Sequence, residues 1–205
     1  MPSIILASAS PSRKRLLEAA GIDAQIVISD VDEEDSIYKS MTPKEMVVAL
    51  AIVKAHTVRE MIVGTGLVIA CDSTFEFEGV SLGKPVTAEV ATERSRMLSG
   101  KSGYLHTGHC IIDIERGVEL ADIATTKVNF SELTDQEIDD YVASGEPLNV
   151  AGGFTLDGLS SPFIASIEGD YTNVIGLSVP LLRKMTTQLG YPWHEIAHQV
   201  IGAAQ

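Results

Sequence analysis

Apolar and polar positions along the chain alternate between strand-like and helix-like spacing. Residues 3–7 form a short apolar run of strand character, followed at once by Ser8-Ala-Ser-Pro-Ser-Arg-Lys-Arg15. Ser10 is placed to cap a helix with Pro11 at its first position, and Gly21 to end it. Leu16, Leu17 and Ala20 supply its apolar face. Residues 24–28 read as a second strand, and the acidic loop Asp30-Val-Asp-Glu-Glu-Asp35 follows. Thr42-Pro-Lys-Glu45 is a capping box, with the Glu three residues after the Thr. The helix it opens runs to about Met61 through Met46, Leu50, Val53 and Val58. Residues 67–71 read as a buried strand ending on Asp72. Residues 75–82 predict a hairpin turning at Glu78-Gly79; Gly83-Lys-Pro85 breaks it, and Thr87 caps a helix reaching Leu98.

From residue 103 to 129 the pattern is two long strands turning at Arg116-Gly117. Thr134-Asp-Gln-Glu137 is a second capping box, whose helix ends near Gly145. Residues 146–170 are rich in Gly, Ser and Pro and read as loops with one short strand at 163–167. A helix over 179–189 stops at Gly190, and 193–201 reads as one more. Strands alternate with helices early and pair locally in the middle. That predicts an α/β fold with a mixed sheet.

A length of 205 residues suits one domain, or one domain of two lobes. The longest apolar stretch, 61–71, is interrupted by Gly64, Thr65 and Gly66 and falls short of the ~18–20 residues that span a bilayer. The N-terminal run lacks a basic flank, so the expected compartment is cytoplasmic. Cys71 and Cys110 lie in apolar segments and read as reduced core thiols. Fifteen Lys+Arg against 28 Asp+Glu give a net charge of −13. That excess argues against a nucleic-acid partner, which needs clustered cations, and against an anionic membrane surface. A small anionic ligand stays open, because a few focused cations or a metal can reverse the field inside one cleft.

Four constellations bear on chemistry. Ser8, Ser10 and Arg13 sit where a helix opens after a strand, which suits phosphate or, equally, a capped surface helix. No Walker A loop and no dinucleotide G-x-G-x-x-G is present. Asp72, beside an apolar strand, suits a metal or a general base, or else a loop turn. Lys54 and Lys84 are lone lysines in structured settings, and the acid run 30–35 reads as a solvated loop able to lend one metal ligand. His194-Glu-Ile-Ala-His198 fits the H-E-x-x-H zinc pattern, but no His, Asp, Glu or Cys follows to complete the ligand set. His106 and His109 point to opposite faces by parity and read as structural.

Together the order Ser8-x-Ser10-Pro-x-Arg13, Asp32-Glu33, Lys54, Asp72-Ser-Thr and Gly83-Lys-Pro85 resembles the Maf family of nucleoside triphosphate pyrophosphatases. So do Tyr141-Val-Ala-Ser-Gly-Glu-Pro147, Ala151-Gly-Gly-Phe154, Gly158-Leu and the run from Ile167 to Leu177. The resemblance implies a single domain over residues 1–205, with a mixed twisted sheet flanked by helices and two lobes about a central cleft, similar to the inosine triphosphate pyrophosphatases. It implies cleavage of a nucleoside triphosphate between α- and β-phosphates with a divalent cation, Mg²⁺ or Mn²⁺, and it suggests a homodimer. Carried over, Ser8, Ser10 and Arg13 hold phosphates, and Lys54 and Lys84 neutralise the triphosphate. Glu33 and Asp72 serve the metal and the attacking water, with Asp72 as proton acceptor. Three positions depart from the family pattern: Ser12 stands where many members have an arginine, and Cys71-Asp72-Ser73 and Asp157 stand where the pyrimidine-directed branch has Ala-Asp-Thr and a glutamine. Asp157 is expected to face the base, where a carboxylate favours edges rich in donors. A zinc hydrolase using His194 and His198, and a non-catalytic nucleotide-binding regulator of cell division, are the competing readings.

Overall fold

The computed structural model of the chain describes residues 2–33 and 35–197. Its first three strands are parallel: β1 (Ile4–Leu6) lies between β2 (Ala24–Ile26) and β3 (Leu67–Phe77). Helices make the connections, α1 (Pro11–Ala19) leading to β2 and α2 (Pro43–Met61) to β3. From β3 onward pairing is antiparallel and follows the hairpin signals. β3 turns at Glu78-Gly79, both at positive φ, into the short β4 (Val80–Leu82). After α3 (Ala88–Leu98) come β5 (Ser102–Asp113) and β6 (Val118–Phe130), then α4 (Asp135–Ala143) and β7 (Ile164–Glu168). The sheet has seven strands in the order β2-β1-β3-β5-β6-β7, with β4 attached to β3.

One feature of this register positions everything else. β5 pairs along one edge of β3 from Leu67 to Glu76, so β1 and β4 must share the other edge. β1 covers residues 67–69 and β4 covers 75–77. Residues 70–74 therefore face no described strand on that edge. A gap is left in the sheet, just beyond the carboxyl end of β1, where α/β folds place their ligands.

α2 lies on one sheet face. Its buried residues are Val47, Leu50, Ala51, Lys54, Ala55 and Val58, with Ala51, Ala55 and Val58 packed against Val68, Ala70, Cys110 and Ile112. The helix sits directly on Gly108, where an added Cβ would come 2.2 Å from the Val47 carbonyl oxygen. α1 and α6 (Val179–Gln188) cover the opposite face, over Ile4, Leu6, Leu67, Ile69 and Ile111. Further along that face, Phe75, Phe130 and Phe154 meet edge to face at 5.0–5.8 Å.

Several expectations need correction. The strand from Leu67 does not end on Asp72 but continues to Phe77, because β5 pairs with it without interruption as far as Glu76. The buried face of α2 keeps the 3–4 spacing but is rotated: Lys54 points in, while Val53 is 38% exposed. β2 stops at Ile26. Residues 146–163 hold three 3₁₀ turns, and a short helix α5 (Tyr171–Ile175), capped by Asp170, precedes α6. The helix expected over 193–201 is a single turn, α7 (Trp193–Ile196), with Ala197 extended; His198 lies outside the described residues. Both cysteines are buried and unbridged, and burial pushes each thiol up to about 12, which leaves them unreactive. No described helix is long and apolar enough to cross a membrane.

His109 ties the α6 side of the molecule to the sheet. Its Nδ1–H donates to the Thr107 carbonyl at 3.0 Å, and its Nε2 accepts the N–H of Ser178, the cap of α6, at 2.9 Å. Only the neutral ring can make both bonds. Burial is the main reason its pKa falls from 6.5 to about 4. Between those values the unfolded chain binds the extra proton and the folded one does not, so stability falls as pH drops from 6.5 towards 4. We predict a loss on the order of 3 kcal/mol across that window from this group. Urea denaturation at several pH values should show a shallower slope in His109→Gln, and an unchanged slope would assign the effect elsewhere.

Candidate active site

The gap beside residues 70–74 opens into a cleft of about 550 Å³. The β1–α1 turn, residues 28–31, Glu33 and Lys54 of α2 line it. Lys84 after β4, residues 149–151 and 154–157, and the end of α5 complete the lining. Ser8, Ser10, Arg13, Glu33, Lys54, Asp72, Lys84 and Asp157 all line this one cleft.

Strand alternation explains how adjacent residues of β3 serve the cleft from two directions. Asp72 points to the α2 face and meets Lys54, whose Nζ donates to Asp72 Oδ1 and to Glu33 Oε1, each at 2.6 Å. Ser73 points to the other face and accepts from Arg13 Nη2 at 3.0 Å. Such a division is open to β3 only where the neighbouring strand has ended. Arg13 also donates from Nη1 to Ser8 Oγ at 3.1 Å and from Nε to the Gly176 carbonyl at 2.7 Å. It thus joins the first turn of α1 to β3 and to the end of α5. Ser10 Oγ accepts the Arg13 N–H at 3.4 Å, the helix cap expected of it.

The charges at the centre are packed tightly. Lys54 and Asp72 are both buried, while Glu33 is half exposed. Burial pushes the Asp72 carboxyl above its ordinary range; Lys54 and Arg13 offset this in part, and the neighbouring Glu33 adds to it. Burial also pushes Glu33 up, but Lys54, Lys84 and Arg13 outweigh it and hold that carboxyl below its usual value. Asp72 is thus placed to accept a proton, and Glu33 to stay charged.

A family model described as Maf-like protein matches residues 3–189. The chain belongs to the Maf family. A relative from Streptomyces coelicolor, named nucleoside triphosphate pyrophosphatase, is 50% identical over 188 residues, covering 91% of this chain and 90% of its own. A relative of the same name from Prochlorococcus marinus is 47% identical over 181 residues, covering 88% and 96%. A solved nucleoside-triphosphatase, dITP/XTP pyrophosphatase, from Mycobacterium abscessus aligns over 91% of this chain and 94% of its own, with 13% identity and a TM-score of 0.40.

Two of the positions that depart from the family pattern, Ser12 and Asp157, meet at a third residue. Arg15 Nη2 lies 2.9 Å from Ser12 Oγ and 3.2 Å from Asp157 Oδ2, bridging α1 to the loop that carries Asp157. The sequence assigns no role to Ser73, although it stands in the Asp72-Ser-Thr motif, or to Thr107; Ser73 Oγ receives Arg13 and lies 2.9 Å from the Thr107 hydroxyl. The adjacency of Ser73 to Asp72 was the one available signal. His194 of the zinc pattern lines surface hollows away from the cleft.

Lys54→Met leaves a buried carboxylate without its cation and should destabilise the fold by about 3–5 kcal/mol. Adding Asp72→Asn to it should recover a large part of that loss in urea denaturation. Additive losses would mean that the two side chains do not depend on each other.

Proposed function

We propose that this Maf protein hydrolyses nucleoside triphosphates between the α- and β-phosphates, releasing monophosphate and pyrophosphate. The observation that carries this reading is the convergence of three cations on two carboxylates in one cleft of an otherwise acidic chain. The names of its relatives support the same reaction class.

The donor set also suits a divalent cation. Glu33 and Asp72 share one ammonium, so they lie close enough to serve one ion. Among the described residues no cluster of three His, Cys, Asp or Glu side chains forms a closed cage. Two carboxylates completed by water and phosphate oxygens is how Mg²⁺ is commonly held at phosphoryl-transfer sites. When bound, such a cation supplies charge to the triphosphate oxygens and acidifies water.

The residues of the chain divide the remaining work. Arg13 and the Ser8 hydroxyl, at the positive end of α1, receive phosphate oxygens. Lys84, which also lines the cleft, neutralises the triphosphate. Asp72 takes the proton of the attacking water, and Lys54 holds both carboxylates in place while adding positive charge where the pyrophosphate leaves. Asp157 faces the base and favours donor-rich edges such as guanine N1–H and N2–H.

Asp72→Asn should lower pyrophosphate release by about 10²–10⁴-fold while leaving nucleotide binding measurable by calorimetry. Full activity in that variant would refute the assignment of the base. If the unmodified protein bound nucleotide yet released no pyrophosphate with Mg²⁺ or Mn²⁺, it would instead be a binding regulator. A panel of nucleotides tests the selector: Asp157→Asn should weaken the preference for guanine over thymine nucleotides, and an unchanged preference would sink that role.

A further inference from the structure

The segment from Tyr141 to Pro147 has no part in the mechanism, yet one of its side chains organises the loop that carries Asp157. Residues 155–160 fold back on themselves. The Thr155 N–H donates to Ser160 Oγ at 2.7 Å, and the Ser160 hydroxyl returns a bond to the Thr155 carbonyl at 2.7 Å. The Glu146 carboxylate occupies the middle of this loop. It accepts from the Thr155 hydroxyl at 2.6 Å, from the Leu159 N–H at 2.9 and 3.0 Å, and from the Ser160 N–H at 3.4 Å. From outside the loop, the Tyr141 hydroxyl donates to it at 3.2 Å. Gly158 lets the chain pass: a Cβ there would lie 2.5 Å from Glu146 Oε2 and 2.3 Å from Thr155 Oγ1.

We infer that Glu146 is the positioning residue of this loop, fixing where Asp157 stands in the cleft and thereby setting base preference without touching substrate. Several donors converge on it, and an ionised carboxylate is the side chain that only accepts. Burial opposes that charge, but the converging N–H and O–H groups outweigh it and hold the carboxyl below its ordinary pKa. Arg15 then draws the Asp157 side chain towards α1 from the other direction. Loop backbone and side-chain direction are thus set separately, the first by Glu146 and the second by Arg15. The inference rests on the reading that Asp157 faces the base.

The test compares kcat and KM for GTP and dTTP, with Mg²⁺, in the unmodified protein and four variants. Glu146→Gln sets an amide N–H₂ against the loop donors. Gly158→Ala presses the loop off an intact carboxylate, which keeps the question answerable if Glu146→Gln folds poorly. Each should reduce the GTP-to-dTTP ratio of kcat/KM by about ten-fold, the worth of one hydrogen bond to a charged acceptor. The change should come through KM for GTP, and each ratio should approach that of Asp157→Asn. Tyr141→Phe removes a bond to Glu146 from outside the loop; it should lower the melting temperature and leave the ratio alone, as a merely structural role would. If Asp157→Asn changes the ratio while Glu146→Gln and Gly158→Ala keep it, the inference is overturned. If Asp157→Asn itself keeps the ratio, the base reading fails and the inference falls with it.

Discussion

A single ammonium group, Lys54 Nζ, holds Asp72 and Glu33 at equal distance, and the rest of the site is arranged around that contact. Taking Lys54 and Asp72 out of water is costly, and only close pairing with further polar partners offsets it. The fold meets this demand from two independent elements. α2 is rotated so that a lysine occupies a position on its buried face, and β3 turns a carboxylate towards the same point. Glu33 joins from a loop and remains half exposed, so the pair communicates with the cleft instead of being sealed under the helix. A substrate or cation entering there meets charges already desolvated and already fixed, the condition under which electrostatic stabilisation is most effective.

The second constraint is the shortness of two strands. β1 and β4 each have three residues, and they pair with different parts of the same edge of β3. Had either run further, residues 70–74 would be closed by a neighbour. Because neither does, Asp72 and Ser73 reach the same cleft from opposite faces of the sheet, one to Lys54 and the other to Arg13. Arg13 and Lys54 therefore approach through different layers of the molecule. The net charge of −13 conceals this local concentration of cations.

How much of this was legible beforehand follows from which forces are local. Both capping boxes, the Ser10 cap and the Glu78-Gly79 turn form as read, because their hydrogen bonds and φ requirements lie within a few residues. The rotation of α2 was not legible from periodicity, since Val53 is the more apolar residue and only the distant Asp72 explains why Lys54 turns inward. β3 looked shorter than it is because its pairing with β5 is likewise distant along the chain. The candidate residues gained direction from their order along the chain, which resembles Maf proteins, whereas their meeting depends on strand register. Ser73, Thr107, Arg15 and Glu146 each have a partner well removed along the chain, up to 142 residues away, so even where a motif contains them it does not show what they hold.

A charge cluster that directs water to the bond between the α- and β-phosphates determines which products are released first. The most direct measurement is ³¹P NMR of a nucleoside triphosphate turned over by the protein with Mg²⁺. Nucleoside monophosphate and pyrophosphate should appear together from the first turnover, with no orthophosphate. Diphosphate and orthophosphate as the first products would contradict attack at that bond.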